Sequence, residues 1–172
     1  MANKTNKRTK SKKSNNLGKL PVWDLSDLYK STKDKKITSD LNFVKKAYKK
    51  FEKKYEDKIK KLNGNNLLKA ILELEEISEK GSRIISFAQL LHHENIENEN
   101  NKIFFQNIDE KITEYESSAV FFNLEINAIK EKQLQKFFKN KKLKKFQTWI
   151  KHLRMFKPYQ LSKELERLLL DK

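Results

Sequence analysis

The chain of 172 residues has no cysteine, only three glycines and only two prolines. Without cysteine, disulfides and thiolate metal sites are excluded. So little glycine and proline leaves scant turn chemistry for an all-β fold. No apolar run approaches the ~18–20 residues needed to span a bilayer, which excludes a transmembrane helix. The polar tract after Met1 contains no apolar segment of the kind a secretory signal needs. These absences predict a soluble, cytoplasmic, helical protein that does not act at a membrane.

Acid is missing from two stretches. Residues 1–23 carry Lys4, Lys7, Arg8, Lys10, Lys12, Lys13 and Lys19, and residues 132–163 carry ten Lys and one Arg, all without a single Asp or Glu. Between them, Glu94 to Glu131 is strongly acidic, so the net charge of +16 is distributed in blocks. Two readings compete. Basic blocks attract nucleic acid. Lys, Asn, Ile and Phe are all abundant, however, and share AT-rich codons, so base composition alone raises lysine. The second reading is favoured, because no nucleic-acid motif accompanies the charge.

With 37% hydrophobic and 36% charged residues, long amphipathic helices with solvated outer faces are expected. Residues 1–19 have almost no apolar side chains, cannot offset their ordering entropy, and read as a disordered basic tail. Order is expected from Leu20, where Trp23, Leu25, Leu28 and Tyr29 can clamp a strand-like arm or short turn onto a helical body. A first helix is predicted from Ser39 to Lys61, with Leu41, Val44, Tyr48, Phe51, Tyr55, Ile59 and Leu62 inward. Gly64 suits its left-handed end and Asn66 can cap the next helix. That second helix is predicted from Leu67 to His92. Within it, Gly81-Ser82 marks either a bend or the close approach of a neighbouring backbone.

The strongest periodicity follows a polar connection at Glu94–Asn101, where Asn98 or Asn100 can cap. Phe105, Ile108, Ile112, Tyr115, Ala119, Phe122, Ile126 and Ile129 alternate spacings of three and four, predicting one helix on the order of 40 Å long. Shorter helices are predicted at Glu131–Lys139, Lys142–Phe156 and from a Ser162 cap to Leu170. The fold class is therefore all-α, with long antiparallel helices in a bundle followed by shorter ones. Phe104, Phe121, Leu124, Phe137 and Phe138 lie off the inward stripes and suit a second packing surface. Leu165, Leu168, Leu169 and Leu170 form a further apolar patch with nothing after it to pack upon, as if the chain were cut within a larger structure.

No catalytic constellation emerges. His93-Glu94-Asn95-Ile96-Glu97 opens like H-E-x-x-H, in which two histidines one turn apart hold zinc while the glutamate activates water. Glu97 stands where the second histidine is required, so an exposed helix terminus is the preferred reading. Neighbouring His92 and His93 point about 100° apart and share a metal poorly. His152 reads as a half-buried flank residue. Gly18, Gly64 and Gly81 are too scattered to cradle phosphate, and Glu75/Glu76 and Glu114/Glu116 read as solvated faces. No catalytic, cofactor-binding or metal residue is assigned. In the basic block, Phe137, Phe138, Phe146, Trp149, Phe156 and Tyr159 interleave with lysine, as a surface stacking on single strands would require. Their helical spacing favours core instead; nucleic acid ranks second and membrane adsorption third.

Four stretches carry a resemblance. Leu20-Pro21-Val22-Trp23-Asp24-Leu25-Ser26-Asp27-Leu28-Tyr29 resembles the opening of oligoendopeptidase F-type proteins. Ser86-Phe87-Ala88-Gln89-Leu90, then Phe121-Phe122-Asn123-Leu124-Glu125-Ile126-Asn127, then Lys151-His152-Leu153-Arg154-Met155-Phe156-Lys157-Pro158-Tyr159-Gln160-Leu161-Ser162 follow in family order. Residues 20–172 thus resemble the N-terminal helical region of a zinc metallopeptidase related to thimet oligopeptidase; the tail lies outside the resemblance. The resemblance implies a cytoplasmic hydrolase that cleaves short peptides inside a deep channel, with these helices forming its wall. It places the zinc and the general base in a catalytic part that this sequence lacks. The chain alone is then expected to be inert, its partner being that catalytic part, in cis or as a split fragment. The alternative is a basic helical nucleic-acid-binding module.

Overall fold

The computed structural model describes residues 22–170. Among them the chain forms helices and no strands: α1 (Lys35–Tyr55), α2 (Gly64–Glu94), α3 (Glu99–Ser117), α4 (Val120–Ala128), α5 (Glu131–Phe137), α6 (Lys141–Lys144), α7 (Gln147–Met155) and α8 (Lys163–Leu170), with 3-10 turns at Ile59–Lys61 and Lys157–Tyr159. The expected all-α class is observed. The tail expected at residues 1–19, with Leu20 and Pro21, lies outside the described residues.

The first three helices form an antiparallel bundle. From α1 to α2, Asp40 meets Lys80, Tyr48 meets Ser78 and Tyr55 meets Glu73, so rising numbers on one helix face falling numbers on the other. From α2 to α3, Gly81 lies opposite Ile112, Phe87 meets Phe104 and His92 meets Phe105. Val44, Tyr48, Phe51 and Tyr55 of α1 are buried against Leu67, Ile71, Ile77, Ile84 and Ala88 of α2 and Ile108 and Ile112 of α3. These are the predicted stripes, because the 3.6-residue period sets one face inward. Tyr29 clamps the entry segment. It is buried, packs edge-on against Phe87 at 5.4 Å and donates its hydroxyl to Asp40 at 2.9 Å. Leu25 and Leu28 also pack on the core, whereas Trp23 remains half exposed and does not share in the clamp.

Several boundaries differ from expectation. α1 starts at Lys35, since Asp34 caps it by accepting the Lys36 N–H at 2.9 Å. It ends at Tyr55, and the left-handed residue is Asp57 with φ 61°, not Gly64. Gly64 is the first residue of α2, whose cap is Asn63, accepting the Asn66 N–H at 2.9 Å. Glycine suits that position because a Cβ there would lie 3.3 Å from the Phe137 Cα of α5. Gly81 sits in an unbroken helix, and its nearest neighbours are side chains, Ile112 Cδ1 at 3.8 Å and Val44 Cγ1 at 3.9 Å, rather than a neighbouring backbone. Asn98 caps α3 by accepting the N–H groups of Asn100 and Asn101.

The predicted 40 Å third helix is two helices. α3 ends at Ser117 and α4 begins at Val120, with Ala119 at φ −106°, ψ 1°. Ser117 Oγ donates to the Glu114 carbonyl at 2.7 Å, and the Ser118 and Ala119 N–H groups reach back only three residues. Such competition from serine and a tightened last turn close a helix. The apolar period runs straight through the break, because both helices bury that face. α3 packs on α1 and α2, while α4 packs on the 59–61 turn, α7 and α8.

The later helices are likewise more divided than predicted: Lys142–Phe156 splits into α6 and α7 around Lys145-Phe146. The proposed second surface is not a surface. Phe121 and Phe138 are buried, Phe104 and Phe137 pack on the same core, and Leu124 is half-buried. Once α3 and α4 part, side chains off one stripe find cover on elements that a single straight helix would not reach. His152, expected to be half-buried, is exposed.

Candidate functional site

The histidines do not converge. His92 is half-buried at the end of α2, its ring stacked 5.7 Å from Phe105. His93 is exposed on the last turn of α2. Glu97 lies beyond that helix, its N–H bonded to Asn95 Oδ1 at 3.2 Å, so the two share no helix face. Glu94 accepts the Trp23 N–H at 3.2 Å. Zinc therefore does not fit the H-E-x-x-E string, and among the described residues no three His, Asp or Glu side chains gather around a metal-sized site.

The chemistry-bearing groups that do converge act on the fold. Glu125, on α4, is buried and accepts the Asp57 N–H at 2.5 Å and the Ile59 N–H at 3.0 Å. It thereby holds the turn after α1. Burial raises its pKa above the ordinary carboxylate range, and the two N–H donors offset only part of that shift. Arg154 of α7 donates one Nη1 to the carbonyls of Ile126, Asn127 and Ile129 at 3.0–3.1 Å. These carbonyls lie at the C-terminal end of α4, where the Ile126 oxygen also accepts the Ile129 N–H at 3.2 Å and a cation suits the helix dipole. Asn127 donates to Gln160 at 3.0 Å. Sequence reasoning assigned no role to Glu125. Its signal is positional: it stands three residues after Phe122 and four after Phe121, on the inner face.

Two surface features remain. A groove of about 640 Å³ runs between α1 and α2, floored by Ala47 and Ile77 and walled by Phe43 and Leu72, with lysines along its rim. Glu73 in its wall accepts from Lys54 at 2.6 Å and from Tyr55 at 2.9 Å. Burial acts to raise the Glu73 pKa, but these donors and the charges of Lys54 and Lys50 outweigh it and hold the carboxyl below its usual range.

The second feature is the C-terminal end. Met155, Phe156 and Tyr159 are exposed, and Leu165, Leu168, Leu169 and Leu170 of α8 are each about half exposed. α8 has no buried residue. Polar links dock it instead: Lys163 Nζ lies 2.9 Å from Glu56 and Arg167 lies 2.5 Å from Glu52, both acids on or just after α1. Of the six aromatics of the basic block, Phe138 is buried and Phe137 and Phe146 pack on the core. Trp149, Phe156 and Tyr159 stay exposed, against the expectation that most are core.

Comparison with known proteins bears on this same end of the chain. The family model described as Oligopeptidase F matches residues 125–172. That span contains the whole Lys151–Ser162 stretch and the last three residues of Phe121–Asn127; the two earlier stretches of resemblance lie before it. No curated protein and no solved structure matches the chain. No helix among the described residues is long and apolar enough to cross a membrane. From the buried Glu125 of α4 to the exposed leucines of α8, residues 125–172 are similar to the N-terminal region of oligoendopeptidase F-type peptidases.

Proposed function

We propose that the chain is a substrate-channel wall segment of an oligoendopeptidase F-like zinc metalloendopeptidase acting on short peptides. The observation that carries this reading is the set of exposed apolar side chains between Met155 and Leu170, inside the very span that matches the family. Exposed apolar side chains gathered on one helix, as Leu165, Leu168 and Leu169 are on α8, mark a contact with another structural element. The catalytic part of the same peptidase is the partner, in cis or as a split fragment, and the protein works in the cytoplasm. Zinc and the general base belong to that part. The 172 residues hold no H-E-x-x-H, so the chain alone hydrolyses nothing.

Two measurements test this. The DNA that follows the Lys172 codon, translated in all three forward frames, is expected to encode an H-E-x-x-H helix and a further acidic ligand; its absence from every frame overturns the reading. The purified chain with added zinc is expected to leave a quenched fluorescent peptide uncut. Turnover by the chain alone would equally sink the proposal.

A second reading has one observation in its favour. Nine lysines from Lys132 to Lys157 are exposed and form no ion pair among the described residues, and Trp149, Phe156 and Tyr159 stand exposed beside them. Lysine with exposed aromatics is the pattern of single-strand binding. The test is affinity for a labelled oligonucleotide as a function of salt, which falls steeply where phosphates are contacted. Affinity no better than about millimolar at physiological salt rejects it.

A further inference from the structure

The groove between α1 and α2 lies outside the family-matched residues 125–172. Its walls come from one face of each helix. On α1, Phe43, Ala47, Lys50 and Lys54 recur at spacings of three and four, and on α2 Lys69, Leu72 and Glu76 do the same, with Glu73 beside Leu72. Antiparallel packing sets the two rows side by side. Phe43 and Leu72 remain 41% and 47% exposed because nothing among the described residues covers them, and Lys80 adds a cation 5.1 Å from the Phe43 ring.

The charge around this apolar floor is one-sided. Four lysines line the groove against two glutamates. Glu73 is already engaged by Lys54 and Tyr55. Lys46, Lys50 and Lys69 form no ion pair among the described residues, and exposed Lys49 and Lys53 extend the positive field along α1. The basic segment at residues 1–23 has no acid with which to answer that field. A second copy offers little: its acidic α3 turns Phe104, Phe105, Ile108 and Ile112 toward its own core, leaving Ile103 as the large apolar residue outward.

We propose that this groove binds an acidic amphipathic helix of a separate protein, its apolar stripe on Phe43, Ala47 and Leu72 and its flanking carboxylates on Lys46, Lys50 and Lys69. Helix-in-groove recognition of this kind reads apolar anchors at i, i+3, i+4 and i+7. The distance from Phe43 to Lys54 along α1, about 17 Å at 1.5 Å per residue, matches an occupant of roughly three turns. The apolar anchors supply affinity, while the lysines set charge preference and salt dependence.

The test uses the full chain and two fluorescein-labelled helical peptides with leucine at those four spacings, one flanked by glutamate and its isomer flanked by lysine. Anisotropy titration is expected to show the acidic peptide binding at least about tenfold tighter. Lys50→Glu combined with Lys69→Glu removes that preference, and Leu72→Gln weakens the acidic peptide about tenfold. All three positions are exposed, so an unchanged circular dichroism spectrum and melting temperature certify the variants. Equal affinity for both peptides overturns the proposal. So does Leu72→Gln leaving the acidic peptide unaffected, or a single-stranded oligonucleotide displacing it with equal affinity in the Leu72→Gln variant, because the site is then a non-specific polyanion surface. Dimerisation of the chain that is abolished by the same Leu72 change assigns the groove to a second copy and overturns it too.

Discussion

Glu125 and Ile59 stand 66 residues apart in the chain, yet the carboxylate of one receives the backbone N–H of the other at 3.0 Å, in a place where Ile59 is fully buried. The same carboxylate receives the Asp57 N–H through its second oxygen. One acid on α4 therefore completes the backbone bonding of the turn that ends α1. Replacing it with alanine leaves the Ile59 N–H buried without an acceptor, whereas exposed Asp57 exchanges its partner for water. Glu125→Ala is expected to lose about 1–3 kcal/mol in urea denaturation. A loss below the error of that measurement would mean the turn holds without it.

Asp57 itself occupies the left-handed region, with φ 61°. That conformation costs a residue with a Cβ roughly 1–2 kcal/mol and costs glycine almost nothing. The Asp57 carboxylate also bears on Glu125, pushing its pKa upward. Asp57→Gly relieves both the strain and the repulsion, offset in part by greater freedom in the unfolded chain. The expected outcome is a rise in melting temperature, with Asp57→Val lowering it.

Gly81 is a glycine in mid-helix whose added Cβ would meet Ile112 and Val44 at ordinary contact distances of 3.8 and 3.9 Å. Helix propensity favours alanine there by about 1 kcal/mol. Gly81→Ala is expected to stabilise the bundle by about that amount in chemical denaturation. Gly64→Ala has the opposite sign, since its Cβ would crowd the Phe137 backbone at 3.3 Å. Equal effects at the two glycines would contradict the packing described.

The Glu73–Lys54 pair makes a prediction about acid. Glu73 has its pKa below the usual 4.5 in the folded chain, so the unfolded chain binds the proton more readily. Its contribution to stability is present above the unfolded value and is lost as pH falls through the folded one. Between about pH 5 and pH 3, the wild type is expected to lose more stability than Glu73→Gln. Added salt reduces the difference, because Lys54 is half exposed. Parallel melting curves of the two proteins across that range would show that the pair contributes nothing.

The inward stripes of α1, α2 and α3 are legible in the sequence because a helix repeats its faces every 3.6 residues whatever surrounds it. Asn98 could be read as a cap for the same local reason, since a short acceptor side chain bonds N–H groups two and three residues ahead. The break at Ser118-Ala119 could not be read that way. Phe105 to Ile129 keep one period on both sides of it, and two helices that bury the same face leave no mark on spacing. Gly64 is ambiguous in the sequence because glycine suits both a left-handed end and a close contact, and only the Phe137 backbone decides between them. Glu125 stands in an acidic stretch where nothing local separates a buried acid from a solvated one. Its burial depends on the 59–61 turn folding against α4, a contact 66 residues distant.

The surfaces divide along the same line. Residue order alone determined the basic and acidic blocks, the missing zinc motif and the Lys151–Ser162 resemblance, because each is a property of residue identity. Which aromatics of the basic block are core was decided only in three dimensions. Phe138 closes against neighbouring helices, while Phe156 and Tyr159 lie where the chain turns past Pro158 and no described element covers them. The groove with lysines around Phe43 and Leu72 likewise exists only because α1 and α2 run antiparallel. Composition sets how much apolar and charged surface a chain has; packing decides which of it meets water.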